Sequence, residues 1–108
     1  MPNSCVNTSC MKILEPHSDT GWITAIVEGR WVQAKVYDEG SCFGINGGRV
    51  SKLSIGKSET RDPNAHFFDQ MAYHYDRGLD FHHKRQLSKK VLDSIVSKLE
   101  ALPVSPLR

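Results

Sequence analysis

The chain has 108 residues and a formal net charge of +2 at pH 7, and charged residues make up 24% of it. This length fits one domain with one hydrophobic core and leaves no room for a cleft between two domains. The small net charge gives no support to strong nucleic-acid binding, which needs many more cations on one face. No apolar run approaches the ~20 residues of a membrane-spanning helix. With no signal-peptide pattern and an odd number of cysteines, we expect the protein in a reducing cytoplasm.

The first ten residues, MPNSCVNTSC, are polar and show no periodicity, which is typical of a loose tail. We expect a flexible leader over residues 1–15, a single domain over 16–102 and a short tail over 103–108. Patterned sequence begins with MKILEP, so the ordered part could equally start at Met11.

Two segments of period-two alternation predict a β-hairpin. The alternation runs from Trp22 to Val27 and again from Trp31 to Tyr37. Between them, Gly29 supplies the positive φ that a short loop requires. One face of this hairpin is small and aliphatic and suits packing under a helix: Ile23, Ala25, Val27, Val32, Ala34 and Val36. The other face carries Trp22, Trp31, Lys35 and Tyr37.

Short elements follow the hairpin. They are a turn at 38–41 (DEGS), a short strand at 42–45 (CFGI), a turn at 46–48 (NGG) and a strand at 49–55 (RVSKLSI). Over residues 67–75 the apolar pattern fits either a helix or a strand. We favour a strand that ends at a turn beginning with Asp76.

The last predicted element is an amphipathic helix. Apolar residues recur at helical steps from Leu87 to Leu102, polar residues occupy the other side, and Pro103 ends the pattern. Such a helix needs an apolar partner surface, which the aliphatic face of the hairpin provides. We therefore predict an α+β fold, a curled antiparallel meander of four to five strands packed against one C-terminal helix.

Two stretches, VQAKVYDEGSCFGINGGRVSKLSI and YDRGLDF, resemble a small domain of bacteriophage and bacterial mobile-element proteins, gene-cassette-like ones among them. That family typically runs from a strand with AKV through an acidic turn, GI, GGR and SKL to YDRGWD before a final helix. The likeness covers residues 21–101; this chain has Leu79 where an aromatic residue is common, and a longer polar insertion at 56–66. The family has no established activity, so the resemblance implies a setting on a phage or an integron-like cassette. It also marks positions to watch: Gly44, Gly47, Gly48, Arg49, Lys52, Asp76, Arg77, Gly78 and Asp80.

The stretch HYDRGLDFHH concentrates acids and histidines in ten residues. Asp76 and Asp80 could act as general acid and base beside His82, with Arg77 holding an anion. A turn is favoured instead, in which Asp76 accepts backbone hydrogen bonds, Gly78 takes positive φ and Arg77 pairs with a neighbouring acid. A small hydrolase or metal-dependent enzyme is therefore the alternative hypothesis.

The histidines indicate a metal site only weakly. The candidates His66, His74 and His82 lack the tight spacing of zinc ligands, and the adjacent His82 and His83 would point to opposite faces of a strand. We expect His82 and His83 to be solvated at the entrance to the final helix. Cys42 is expected to be a small buried apolar group rather than a nucleophile. The segment GINGGR lacks the GK[ST] ending of a phosphate-binding loop, and its glycines indicate a hairpin. We expect no metal and no cofactor.

The leading functional hypothesis is a binding surface on the sheet. Aromatic rings interleaved with cations can anchor a protein partner or stack on bases. The candidate residues are Trp22, Trp31, Tyr37, Lys35, Arg49, Lys52 and Arg77. A structural alternative is a cross-strand pair of the two tryptophans, covered by the tail or by the loop in the 60s.

These patterns favour a non-enzymatic accessory protein that acts by binding a macromolecule. A protein partner is favoured, nucleic acid is more weakly supported, and no membrane partner is expected. An exposed sheet edge would also permit a homodimer.

Overall fold

The computed structural model describes residues 11–15 and 20–102. Within these residues, six β-strands form one antiparallel sheet in chain order, followed by one α-helix. The elements are β1 (Met11–Glu15), β2 (Trp22–Val27), β3 (Arg30–Val36), β4 (Val50–Gly56), β5 (Met71–Asp76), β6 (Leu79–His82) and α1 (Lys89–Glu100). The predicted α+β meander with a C-terminal helix is confirmed, with six strands in place of four to five.

The two edge strands, β1 and β6, were not predicted. β1 lies within the segment assigned to the leader, and it pairs with β2 along its length. β6 continues directly from β5 through a two-residue turn. The first ten residues and the tail over 103–108 lie outside the described residues.

The predicted strand at 42–45 is wrong. The chain turns there and enters a short 3-10 helix, Ile45–Gly47. The turn is compact because Gly44 lies against the backbone carbonyl of Gly48, where no side chain would fit. Cys42 is consequently exposed instead of buried in a strand.

Alternate residues of the strands face α1 and form the core; we call this side of the sheet the inner face. The predicted aliphatic face of the β2–β3 hairpin is confirmed, since all six of its residues are buried. The helix contributes Leu92, Ile95 and Leu99 to the same core. Fully burying a side chain of this size stabilises the fold by about 1.5–3 kcal/mol.

Both tight hairpins use two consecutive residues with positive φ. Glu28 (φ 54°) and Gly29 (φ 74°) join β2 to β3, and Arg77 (φ 49°) and Gly78 (φ 115°) join β5 to β6. Such turns match the right-handed twist of the flanking strands. The positive φ predicted for both glycines is confirmed.

The β2–β3 turn is held against α1 by a half-buried ion pair. Lys98 Nζ lies 2.9 Å from Glu28 Oε2, and the side chains are only 14% and 19% exposed. The Ser94 hydroxyl donates to the same carboxylate. These hydrogen bonds, first from Ser94 and then from Lys98, hold the pKa of Glu28 below its ordinary value of 4.5.

Replacing Glu28 with Gln is expected to lower the free energy of unfolding at pH 7 by about 1 kcal/mol, because a charged acceptor is lost. A depressed folded-state pKa gives stability that is complete above the ordinary glutamate pKa and is lost as pH falls through the folded-state value. The difference between wild type and Glu28→Gln should therefore shrink below pH 4.5. Urea unfolding of both proteins between pH 7 and pH 3 measures it, and a difference that stays constant with pH would contradict the ion pair's role.

Candidate functional site

Cross-strand pairing lines up a row of polar and aromatic side chains on the outer face, the side of the sheet opposite α1. Lys35 is opposite Trp22 on one side and Lys52 on the other. Lys35 Nζ lies 5.9 Å from the Trp22 ring centre and 5.4 Å from that of Tyr37, and Lys52 Nζ lies 5.8 Å from Trp22. We call these four residues the outer patch.

In the outer patch, two ammonium groups lie over aromatic rings. Each lysine above a ring at this distance gains about 0.5–1 kcal/mol at an exposed site. All four side chains are half-buried, so their stems are restricted before any partner arrives. A preorganised surface of this kind loses less conformational entropy on binding than freely moving lysines would.

Trp31 lies outside the outer patch. It is opposite Ile26, whereas Trp22 is opposite Lys35, so the cross-strand tryptophan pair does not form. The loop in the 60s does pack on Trp31: the Phe67 ring lies edge-on at 6.4 Å, and the Arg61 guanidinium lies 5.5 Å from the Trp31 ring centre. Trp31 therefore anchors this loop to the sheet.

Arg49 and Arg77 also serve local structure. The Arg49 guanidinium donates to backbone carbonyls of Tyr37, Glu100 and Leu102 at 2.6–2.8 Å, and so binds the C-terminal end of α1. Arg77 is exposed in the β5–β6 turn, where its Nε lies 3.0 Å from Asp76 Oδ1. The predicted pairing of Arg77 with a neighbouring acid is confirmed, and we place neither arginine in the outer patch.

The two aspartates of the enzyme alternative lie on opposite faces of the sheet. Asp76 is opposite Lys52 and faces outward, while Asp80 is opposite Tyr75 and faces inward. His82 shares the inner face with Asp80, opposite Tyr73. A paired-carboxylate centre needs both groups at one reacting atom, so these aspartates do not form one.

The candidate histidine ligands are separated as well. His66 is exposed and 4.0 Å from Asp69, His74 on the outer face shares a 3.0 Å hydrogen bond with Ser54 Oγ, and the inward His82 contacts the Leu87 carbonyl at 2.8 Å. Residues 11–15 and 20–102 contain no group of three or more His, Cys, Asp or Glu that could hold a metal ion. His82, expected to be solvated, is instead half-buried against Tyr73.

A cleft of about 590 Å³ lies between α1 and the β5–β6 hairpin, with Tyr73, Asp80 and His82 among its lining residues. Burial, and secondarily the Asp80 carboxylate, raises the pKa of Tyr73 to about 12. Its phenol therefore stays protonated in the physiological range and does not supply a general base.

Sequence reasoning missed the apolar side chains that β6 adds to the outer face. Leu79 is 80% exposed and Phe81 is 46% exposed. Their alternation with Asp80 and His82 is a period-two pattern that could have predicted the strand.

The described residues thus define a small α+β domain with an open antiparallel sheet under one helix. A family model described as a domain of unknown function, DUF7678, matches residues 19–100, and the chain belongs to that family. This range includes the outer patch, both tight hairpins and the helix.

Two other comparisons return nothing: no curated protein matches the chain, and no solved structure matches it. Among the described residues, no helix is long and apolar enough to cross a membrane. The family assignment itself carries no activity, so a functional proposal depends on the geometry of the site.

Proposed function

We propose that this domain is a non-enzymatic binding module whose outer patch takes an acidic surface of a protein partner. The observation that carries the proposal is the pair of lysines, Lys35 and Lys52, held over Trp22 and Tyr37. Lysines held over half-buried aromatic rings favour a partner whose surface carries carboxylates, because charge complementarity sets the orientation and the association rate of a complex. Aromatic residues then supply the buried contact area that dominates such interfaces.

A protein partner is favoured over nucleic acid because cations already lie over the aromatic rings of this face. Base stacking needs an open ring face. In the outer patch, both lysines lie over Trp22, and elsewhere on the face Arg61 lies over Trp31 and Phe67. The net charge of +2 also gives little general attraction to a polyanion.

The proposal includes the biological setting that the sequence resemblance implies. In that setting the domain is a cytoplasmic accessory protein of a phage or mobile element, and its partner is a protein of the same cell. The hydrolase alternative has less support, because Asp76 and Asp80 face opposite sides of the sheet.

The test compares three tagged full-length proteins in capture from a lysate of the source cell, each with and without nuclease. They are the wild type, the double variant Lys35→Glu/Lys52→Glu, and the control Lys57→Glu/Lys90→Glu, which makes the same charge change at exposed lysines outside the patch. We expect a protein that survives nuclease, is retained by wild type and control, and drops at least about tenfold on the patch variant, since like charges then face each other.

Two outcomes would overturn this proposal. Capture lost on nuclease treatment would move nucleic acid ahead of protein. Retention of the same protein by Lys35→Glu/Lys52→Glu would place the binding site elsewhere. Circular dichroism of the three proteins verifies that the substitutions leave the fold intact.

A further inference from the structure

Among the described residues, β6 is an edge strand of four residues. Its short length and its inward-facing Asp80 protect the edge, but it has no bulge, proline or lysine. Proteins block sheet edges with bulges, prolines and lysines that prevent pairing with another chain. The opposite edge, β1, has an irregular register between Ile13 and Glu15. β6 pairs with β5 without any such irregularity, and its Leu79 and Phe81 are exposed. β6 is therefore the edge that can accept a further regular strand.

The backbone of β6 offers hydrogen-bonding groups to such a strand at two positions. The His83 N–H donates to the Ala72 carbonyl at 2.7 Å, so this residue directs its backbone groups toward β5. In an antiparallel strand this direction alternates, so Phe81 also bonds inward, while Asp80 and His82 direct their N–H and C=O groups to the edge that no other described strand occupies.

These two positions select a register for pairing with a second copy. If Asp80 were opposite Asp80 of the second copy, the two carboxylates would lie face to face, which is destabilising. Placing Asp80 opposite His82 of the second copy satisfies the outward backbone groups of both residues and sets an acid against an imidazole. The two-fold axis then passes beside Phe81, whose ring meets its own copy at the close, non-hydrogen-bonded position.

We infer that two copies of this chain pair through β6, antiparallel and centred on Phe81, to form one continuous sheet. The contact is isologous and closes as a dimer, so it leaves no edge for further growth on that side. It covers Leu79 and Phe81, the two exposed apolar residues of the strand. The inference depends on β6 alone and not on the partner proposed for the outer patch, although pairing would join two outer faces into one surface.

The first experiment measures the mass of the full chain by light scattering after size exclusion. We expect twice the 12.1 kDa of one chain for the wild type. Phe81→Lys should raise the dissociation constant at least about tenfold, because a cation then meets its copy at the axis. Asp80→Pro should act in the same direction, since it removes an outward N–H without breaking a bond to β5.

A second experiment reports the register. Phe81→Cys is placed in a background in which Cys5, Cys10 and Cys42 are Ser, and Leu14→Cys on β1 serves as the control. Leu14 has the same 46% exposure as Phe81. Residues facing each other across the axis at a non-hydrogen-bonded position are close enough for a disulfide. We expect rapid oxidation to a cross-linked dimer at position 81 and not at position 14.

Three results would overturn the inference: a wild-type monomer at 100 µM, a dimer whose affinity is unchanged by Phe81→Lys and Asp80→Pro, or equal cross-linking at both positions. The double variant Lys35→Glu/Lys52→Glu separates this inference from the proposed function. It should keep the dimer mass while losing the captured protein.

Discussion

Replacing Glu100 with Ala is expected to destabilise the fold by about 3 kcal/mol, because buried backbone donors would lose a charged acceptor. Glu100 ends α1 and reaches back to the start of β4. Its carboxylate accepts the Arg49 N–H at 3.0 and 2.8 Å and the Val50 N–H at 3.2 Å. Gly48 leaves the room for this carboxylate, since a Cβ there would collide with it.

Arg49, just before β4, in turn contacts the end of α1 through its side chain. Its guanidinium donates to the carbonyl of Glu100, the last residue of α1, which has no partner further along the helix, and to the carbonyl of Leu102 just beyond the helix. Glu100 and Arg49 therefore fasten the helix to the sheet as one unit. The loss in Glu100→Ala/Arg49→Leu should accordingly be smaller than the sum of the two single losses.

Urea unfolding followed by circular dichroism measures these free energies. Glu59→Ala, an exposed acid in the loop after β4, is the matched control and should change stability by less than about 0.5 kcal/mol. A loss below about 1 kcal/mol for Glu100→Ala would mean that water replaces the carboxylate. Additive losses in the double variant would mean that the two residues act independently.

The parts of the fold that were predictable are those whose evidence is local in sequence. The β2–β3 hairpin shows period-two alternation and a glycine turn, and α1 shows a continuous apolar stripe, so their faces could be assigned without tertiary information. β1 and β6 are edge strands with exposed residues at most positions. An exposed strand has little need of apolar alternation, which explains why composition and periodicity did not reveal β1.

The candidate site was predictable only where side-chain direction follows from strand alternation. Trp22, Lys35 and Tyr37 were placed on one face correctly for this reason. Arg49 was grouped with them because it lies nearby in the strand order, but its partners at Glu100 and Leu102 are more than fifty residues away along the chain. The separation of Asp76 from Asp80 depends on the position of the β5–β6 turn, which sets the face of every residue beyond it.

Two glycines of GINGGR, Gly44 and Gly47, are needed for different physical reasons, and replacing Gly44 is expected to lower stability strongly. Gly44 has φ −80°, which any residue can adopt. A Cβ at that position would nonetheless overlap the backbone carbonyl of Gly48. Gly47 is the reverse case, since its φ is 73° but nothing lies within 4 Å of an added Cβ. The first glycine is required by space and the second by backbone conformation.

Gly44→Ala is therefore expected to cost about 3 kcal/mol, the upper part of the range for overpacking, because backbone rather than a flexible side chain must move. Gly47→Ala should cost only about 1 kcal/mol, the ordinary strain of an alanine with positive φ, and Gly47→Asn should cost less because Asn tolerates that region. Displacing Gly44 also disturbs the neighbouring Phe43 carbonyl, which accepts the Tyr75 hydroxyl at 2.8 Å.

Urea unfolding of the three glycine variants measures these losses. The slope of the free energy of unfolding against urea concentration checks that unfolding stays two-state. Equal losses for Gly44→Ala and Gly47→Ala would contradict the close approach of Gly44 to Gly48. A larger loss for Gly44→Ala would instead show that this loop is built on backbone contact. In that case the glycines of the motif maintain the geometry that lets Arg49 and Glu100 hold the helix, which is a structural role and not a ligand-binding one.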